Sequence, residues 1–280
     1  MSFEHITYEV DGAVAVISLN RPEKANAQHF PLLHELNDAW LAAAADDAVR
    51  VILLRANGRH FSAGHDLSGA RDERTVSPLS ADGSWSLSRL YTNELRVYFG
   101  YCMAWRNVPK PSIAAVQGKC IAGGLMLCWP CDLIVAADDA EFSDPVINMG
   151  IGGVEYHAHT FEFGARKAKE LLFTGRGIDA ATAERLGMVN RVVPLEDLQS
   201  DAMALAREIA EKDPFALLQA KRAVNQTLDV VGFTAALQSV FDIHEVGHGA
   251  AFAQNGYPVL MRLDGMKAAV KAGSRAEEKV

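Results

Sequence analysis

Four cysteines in 280 residues are too few to staple a chain of this size, and with 49% hydrophobic content it can bury a full core without a disulfide framework. Two of the four, Cys128 and Cys131, have C-x-x-C spacing. No second ligand pair stands nearby, and the pair closes an apolar segment rather than opening a helix, so buried structural thiols are expected. Basic charge is also scarce. A formal net charge of -8 with no Lys/Arg block excludes a nucleic-acid surface. Long apolar runs are missing: the stretches at 14–19 and 51–54 fall far short of the roughly 20 residues that span a bilayer, so no membrane contact is expected. The N-terminus has neither a basic n-region nor an apolar h-region, which points to a cytoplasmic protein without a signal peptide. No Gly-x-Gly-x-x-Gly follows the early strands, against a dinucleotide fold. No cluster of His, Cys and carboxylates with metal spacing is read, and neither a metal nor a prosthetic group is expected.

What is present is an alternation of strands and helices. Residues 6–10 and 14–19, joined through Asp11-Gly12, read as a hairpin. Leu33, Leu36, Trp40 and Ala43 recur at helical spacing, residues 51–54 form a buried strand, and 70–84 is a charged loop containing Pro and Ser. Tyr91, Leu95, Tyr98, Cys102 and Trp105 predict one long helix up to Pro109. Strands follow at 112–116 and 132–136 with a small-residue helix between them, then helices near 156–163 and 167–174. Asp179 is the expected N-cap of a helix to Leu186, and 188–193 a short strand. The remainder reads as helical, with stripes at Leu198, Ala202, Leu205, Ile209 and at Leu217, Ala220, Val224, Leu228, Val231 that suit docking on the core or on another subunit. The division is an α/β core over 1–195 and a helical region over 196–280, with no repeat of fixed period.

Five segments in register, LNRPEKANA (19–27), FSAGHDL (61–67), PSIAAVQGKCIAGGLMLCWPCDLIVAA (111–137), EFSDPVINMGI (141–151) and ELLFTGRGIDAATAERLGMVNRVVP (170–194), carry a resemblance. The chain resembles the crotonase superfamily, the enoyl-CoA hydratase/isomerase family, over residues 8–252. The resemblance implies a spiral of repeated ββα turns with a C-terminal helical trimerisation region, assembling as a homotrimer or a dimer of trimers. It implies an acyl-CoA substrate, with coenzyme A as part of that substrate. It implies an oxyanion hole formed by the N–H groups of Ala63 and Gly123, in segments whose small residues allow backbone to approach a ligand closely. Coenzyme A would run along Lys24, Ala25 and Ala27 and the backbone of Ala63, His65, Asp66, Leu67 and Gly123. Lys24 and Arg59 are phosphate contacts or merely solvated cations.

The sequence departs from the family where its two glutamates should stand: Met126 and Val146 occupy those positions, and neither moves a proton. Ordinary crotonyl-CoA hydration is therefore not expected. Glu155 is the first replacement candidate, its pKa expected to be raised by burial. His65 reaches the acyl pocket or caps its turn. His157 and His159, two apart, cannot share one face of a helix and read as packed or surface side chains. Asp66 and Asp132 are structural by resemblance, and Asp144 before Pro145 suits a turn. Three functions fit: an enzyme of enolate chemistry on a CoA thioester, acting as isomerase, lyase or hydrolase; a non-catalytic CoA-thioester-binding module; or a CoA-independent hydrolase of the C–C bond of a β-diketone. Paired oxyanion segments favour the first, since a binder gains little from donors aimed at developing charge.

Overall fold

The computed structural model describes residues 3–67 and 72–260, so residues 70 and 71 of the predicted loop and residues 261–280 of the helical region lie outside the described residues. The chain opens with the expected hairpin, β1 (Ile6–Asp11) against β2 (Val14–Leu19), whose turn places Gly12 at φ 62. Then come α1 (Phe30–Ala45), β3 (Val51–Ala56), α2 (Leu87–Asn93), a π-helical turn (Glu94–Phe99) and α3 (Gly100–Arg106). β4 (Ser112–Val116) and β5 (Lys119–Ile121) lead into a 3-10 turn (Ala122–Gly124) and α4 (Leu125–Cys128). β6 (Leu133–Ala137) and β7 (Glu141–Ser143) precede α5 (His159–Thr174), β8 (Ile178–Asp179), α6 (Ala180–Leu186) and β9 (Arg191–Val193). Three helices finish the described chain: α7 (Leu198–Ala210), α8 (Pro214–Val230) and α9 (Phe233–Asn255). The helices expected at 156–163 and 167–174 are both present in α5, separated by non-helical backbone at Gly164. The first starts only at His159, and φ at Gly164 is 71. Asp179 caps α6 by accepting from Thr182 N at 2.7 Å, as its position predicts.

The strands form two sheets. The six-stranded sheet runs β1-β2-β3-β4-β6-β9, parallel from β2 onward, and the three-stranded one runs β5-β7-β8. The chain thus makes a strand in the large sheet, a short strand in the small one, then a helix, and advances one place before repeating. This is the ββα spiral. A parallel bridge between Ser62 and Cys120 extends the small sheet to the segment after β3. The two small-residue segments sit at equivalent places on successive turns of the spiral, so residues some sixty apart in sequence become neighbours.

From β2 to β6 the large sheet is buried on both faces, which is why β2 and β3 read as unbroken apolar runs. Ala15, Ile17, Ile52, Leu54, Ala114 and Val116 join the core that contains α1, while Val14, Val16, Val51, Leu53, Ile113 and Ala115 pack on Leu198, Ala202, Ala206 and Ala210 of α7. Each Val or Leu fully buried in this double layer contributes roughly 1.5–3 kcal/mol. The stripe of α7 therefore docks on its own chain. α8 buries none of its residues, whereas α9 buries Phe233, Leu237, Phe241, His244, Glu245, His248 and Ala251. Along that stripe the inward side chains change from apolar to titratable. Among the described residues, no helix is long and apolar enough to cross a membrane.

Candidate active site

Close approach of the two spiral turns dictates their composition. At Gly64, with φ 89, a Cβ would lie 2.8 Å from Ile121 O and 3.3 Å from Gly123 N; at Gly124 one would lie 2.7 Å from Ser62 O. A methyl group fits at neither. Three non-glycine residues around the contact, Ala25, Asn26 and Ala122, hold left-handed backbone with φ near 50 (49, 51 and 48), a cost of order 1–2 kcal/mol each that the surrounding packing must offset.

The amides correct the expectation for Ala63. Its N–H donates to Ala25 O at 2.9 Å, which ties the segment to the loop after β2 and removes it as an oxyanion donor. Gly64 N donates to Ser62 Oγ at 3.2 Å and Asp66 N to Gln28 O at 2.7 Å. His65 N–H alone in this run has no protein acceptor among the described residues. Gly123 N–H lies in the first turn of its short helix, where no intrahelical acceptor exists. The His65 ring lies against Gly123, so close that a Cβ there would meet ring Cε1 and Nδ1 at 2.8 and 2.9 Å.

A cavity of about 290 Å³ opens beside these segments. Phe30, Met149, Ile151, Val154 and Val146 give it an apolar wall; His65, Glu94, Glu155, His244 and His248 form a polar end. His65 Nε2 lies 3.1 Å from Glu155 Oε2, and its ring stacks on Tyr98 with centroids 4.1 Å apart. The sequence candidates His65 and Glu155 are therefore brought together. Burial pushes the Glu155 carboxyl up, but the charge and hydrogen bond of His65 and the charge of His244 outweigh it, so its pKa falls below the usual range. The expected upward shift is corrected: a buried carboxylate beside a cation stays ionised. His65 behaves reciprocally. Burial lowers its pKa, yet the charge and hydrogen bond of Glu155 and the charge of Glu94 raise it overall. His65 Nδ1 is buried and without a hydrogen-bond partner.

Val146 lines the cavity and Met126 is buried in the core, so the positions of the family's glutamates are apolar in place as well as in sequence. His157 and His159 do not line the cavity. Because His157 precedes α5, the two rings can touch, with centroids 4.3 Å apart, and the argument from a shared helix does not apply to them. Burial, followed by the charge of His159, lowers His157 to about 4. Asp66 pairs with Arg21 at 3.0 Å and borders the cavity with Leu67, while Asp132 takes Ser112 N, Ser112 Oγ and Lys221 Nζ at 2.8–2.9 Å. Asp144 accepts from Val154 N at 3.0 Å and pairs with His159 Nε2 at 3.0 Å. Lys24 and Arg59 are exposed, and Ala25 and Ala27 are half-buried. All four thiols are buried and free, with Cys120 and Cys128 sulfurs 3.9 Å apart, and burial raises Cys128 and Cys131 well above the usual thiol range.

Sequence reading passed over a second group. His244 Nε2 and His248 Nε2 are 3.0 Å apart, and Glu94 Oε2 lies 3.4 and 3.5 Å from them. The signal was legible: His244-Glu245-Val246-Gly247-His248 is H-E-x-x-H, a spacing that puts both imidazoles on one helical face, so the absence of metal spacing read from the sequence is corrected. These side chains could hold a metal ion. Burial and then the charge of Glu94 raise the adjacent Glu245 to about 9, leaving it a neutral acid.

The family model for enoyl-CoA hydratase/isomerase matches residues 9–252. EchA13 of Mycobacterium tuberculosis is 46% identical over 261 residues, 88% of this chain and 81% of that protein. A probable enoyl-CoA hydratase of Rhizobium meliloti is 36% identical, over 82% of this chain and 84% of its own. The crystal structure of a probable enoyl-CoA hydratase from Mycobacterium smegmatis superposes with a TM-score of 0.84 at 61% identity, covering 91% of this chain and 99% of that one. By its motifs, its spiral and these matches, the chain belongs to the enoyl-CoA hydratase/isomerase family of the crotonase superfamily.

Proposed function

We propose that the protein catalyses enolate chemistry on an acyl- or enoyl-CoA thioester, with the N–H groups of His65 and Gly123 holding the carbonyl oxygen and the His65 imidazole carrying the proton. The observation that supports this reading is the His65–Glu155 pair at 3.1 Å, set against Gly123 in a chain with Met126 and Val146 at the family's usual acid positions. Glu155 accepts from Nε2–H, which leaves the unpartnered Nδ1, beside Gly123, to alternate between acid and base. Each oxyanion donor is worth about 2.7–4 kcal/mol of barrier. Coenzyme A would run past Lys24, Ala25 and Ala27 and the backbone of residues 63–67, and the chain would work as a trimer or dimer of trimers. A buried His–Glu pair also suits activation of water, which supports hydrolysis of a β-diketone as a second reading.

A panel of acyl-CoA esters, enoyl-CoA esters and a free β-diketone, followed by mass, separates the reactions. Gain of water marks hydration, unchanged mass with a moved double bond isomerisation, and cleavage of the diketone the second reading. Gly123→Pro, which removes the N–H, should abolish turnover, and Glu155→Gln should lower kcat roughly 100- to 10,000-fold with CoA affinity kept. Undiminished turnover in Gly123→Pro overturns the oxyanion role, and a silent panel with tight CoA binding favours a binding module.

A further inference from the structure

The π-helical turn carries Glu94 inward, and α9 brings His244 and His248, one turn apart, to the same point. All three are buried, and their ligating atoms lie within 4.8 Å of one another. The hydrogen-bond pattern fixes what those atoms can do. His244 Nδ1 is 2.7 Å from Gly153 O and His248 Nδ1 is 2.5 Å from Pro258 O. A carbonyl oxygen only accepts, so each Nδ1 carries the hydrogen, and a neutral imidazole then presents a lone pair at Nε2. Two such lone pairs face each other at 3.0 Å with a carboxylate oxygen 3.4 and 3.5 Å away. Three electron-rich atoms this close repel one another unless a proton on Nε2 or a metal ion stands between them.

A proton on one Nε2 answers one contact and leaves the others, and Glu94 Oε2 has no hydrogen-bond partner. A metal ion answers all three. Ligands at 2.0–2.1 Å around a tetrahedral centre stand about 3.3 Å apart, the scale of the triangle seen here. Imidazoles tied at Nδ1 to backbone carbonyls are the usual outer support of metal-bound histidine. We propose that Glu94, His244 and His248 form a binding site for a divalent transition-metal ion of the zinc class, with a fourth position open to the cavity. Two imidazoles select such an ion over magnesium or calcium. The cavity borders all three ligands, and Glu155 Oε1 lies 3.9 Å from His244 Nε2, so a water on the fourth position would enter the same pocket as the His65–Glu155 pair. The site stands whether or not the proposed reaction is correct.

The test uses the full chain, stripped with chelator and dialysed against Zn2+ or Co2+. Expected are one retained ion per chain by elemental analysis, proton release on binding by calorimetry in buffers of different ionisation heat, and the intense visible absorption of four-coordinate Co2+. His244→Ala, His248→Ala and Glu94→Gln should each weaken Zn2+ at least about 100-fold, while His5→Ala leaves it unchanged. No retained ion, a pale six-coordinate Co2+ spectrum, or affinity unaltered in folded His244→Ala and His248→Ala overturns the site; the wild-type spectrum decides even where a variant does not fold.

Discussion

Single side chains decide how the loop before α5 is held, and Asp144 is the most exposed to test. Its carboxylate and His159 are both buried to within 1% of full enclosure, and the pair closes the turn that ends at Val154, next to Glu155. Asp144→Asn puts an NH2 in place of one buried carboxylate oxygen facing the Val154 amide and His159 Nε2, so it should cost about 1–3 kcal/mol and lower Tm accordingly. Burial raises the Asp144 carboxyl, but the His159 contact and the amides of Val154 and Val146 prevail and hold it below its ordinary 3.8. A depressed carboxylate binds fewer protons folded than unfolded, so its contribution is complete above the unfolded value and drains as pH falls through the folded one. Denaturant midpoints measured between about pH 2 and pH 5 should therefore rise with pH more steeply in the wild type than in Asp144→Asn. Parallel curves would sink the assignment. At this scale the sequence was partly readable: Asp144 before Pro145 announced a turn, and His65 and Glu155 announced themselves as polar groups near motifs. That Ala63 spends its amide on Ala25 was not readable, because nothing local says which of several consecutive N–H groups a distant loop will take.

The elements differ in how openly they show themselves. Leu33, Leu36, Trp40 and Ala43 all turn out buried on α1, since a regular helix against a sheet obeys its period. The long helix from 87 to 106 does not: the same rule put Leu95 on the inner stripe, yet Leu95 is 41% exposed and Glu94 is buried in its stead. One wide turn over Glu94–Phe99 shifts the register, and such turns gather at functional sites. It brings both Glu94 and Tyr98 to the cavity wall. Deleting the exposed Arg96 should restore an ordinary helix while rotating one of those two side chains away. Turnover should then fall at least about 100-fold, since misplacement by roughly an ångström costs that much, with helical content by far-UV circular dichroism retained. A deletion variant as active as the parent would mean the wide turn positions nothing. The H-E-x-x-H pattern of α9 lay in plain view, but an apolar stripe is read first and a polar continuation of that stripe is easily taken for solvent-facing charge.

For the whole molecule, the spiral has no sequence period because its turns differ in length: the parallel strands begin at residues 14, 51, 112, 133 and 191. Long excursions carry the π turn and α5, so the repeat exists in space and is hidden along the chain. The C-terminal helices follow a different logic. α7 covers the outer face of the sheet with Ala202, Ala206 and Ala210, small enough to lie close, and has no apolar surface to spare there. α8 is the opposite case: Phe215, Val224 and Val230, with Val231 just beyond its end, are between 62% and 87% exposed, and α9 adds Ile243 and Val246 on the face away from its histidines. Apolar surface gathered on consecutive helices is what a subunit interface requires. On the trimer or dimer of trimers proposed above, a 30.3 kDa chain should sediment at three or six times that mass. Val224→Asp with Val230→Asp places two charges where desolvation is uncompensated, and should shift the species to single chains without disturbing α7 or the sheet. If the wild type itself sediments as one chain, these side chains face water and α8 serves no assembly.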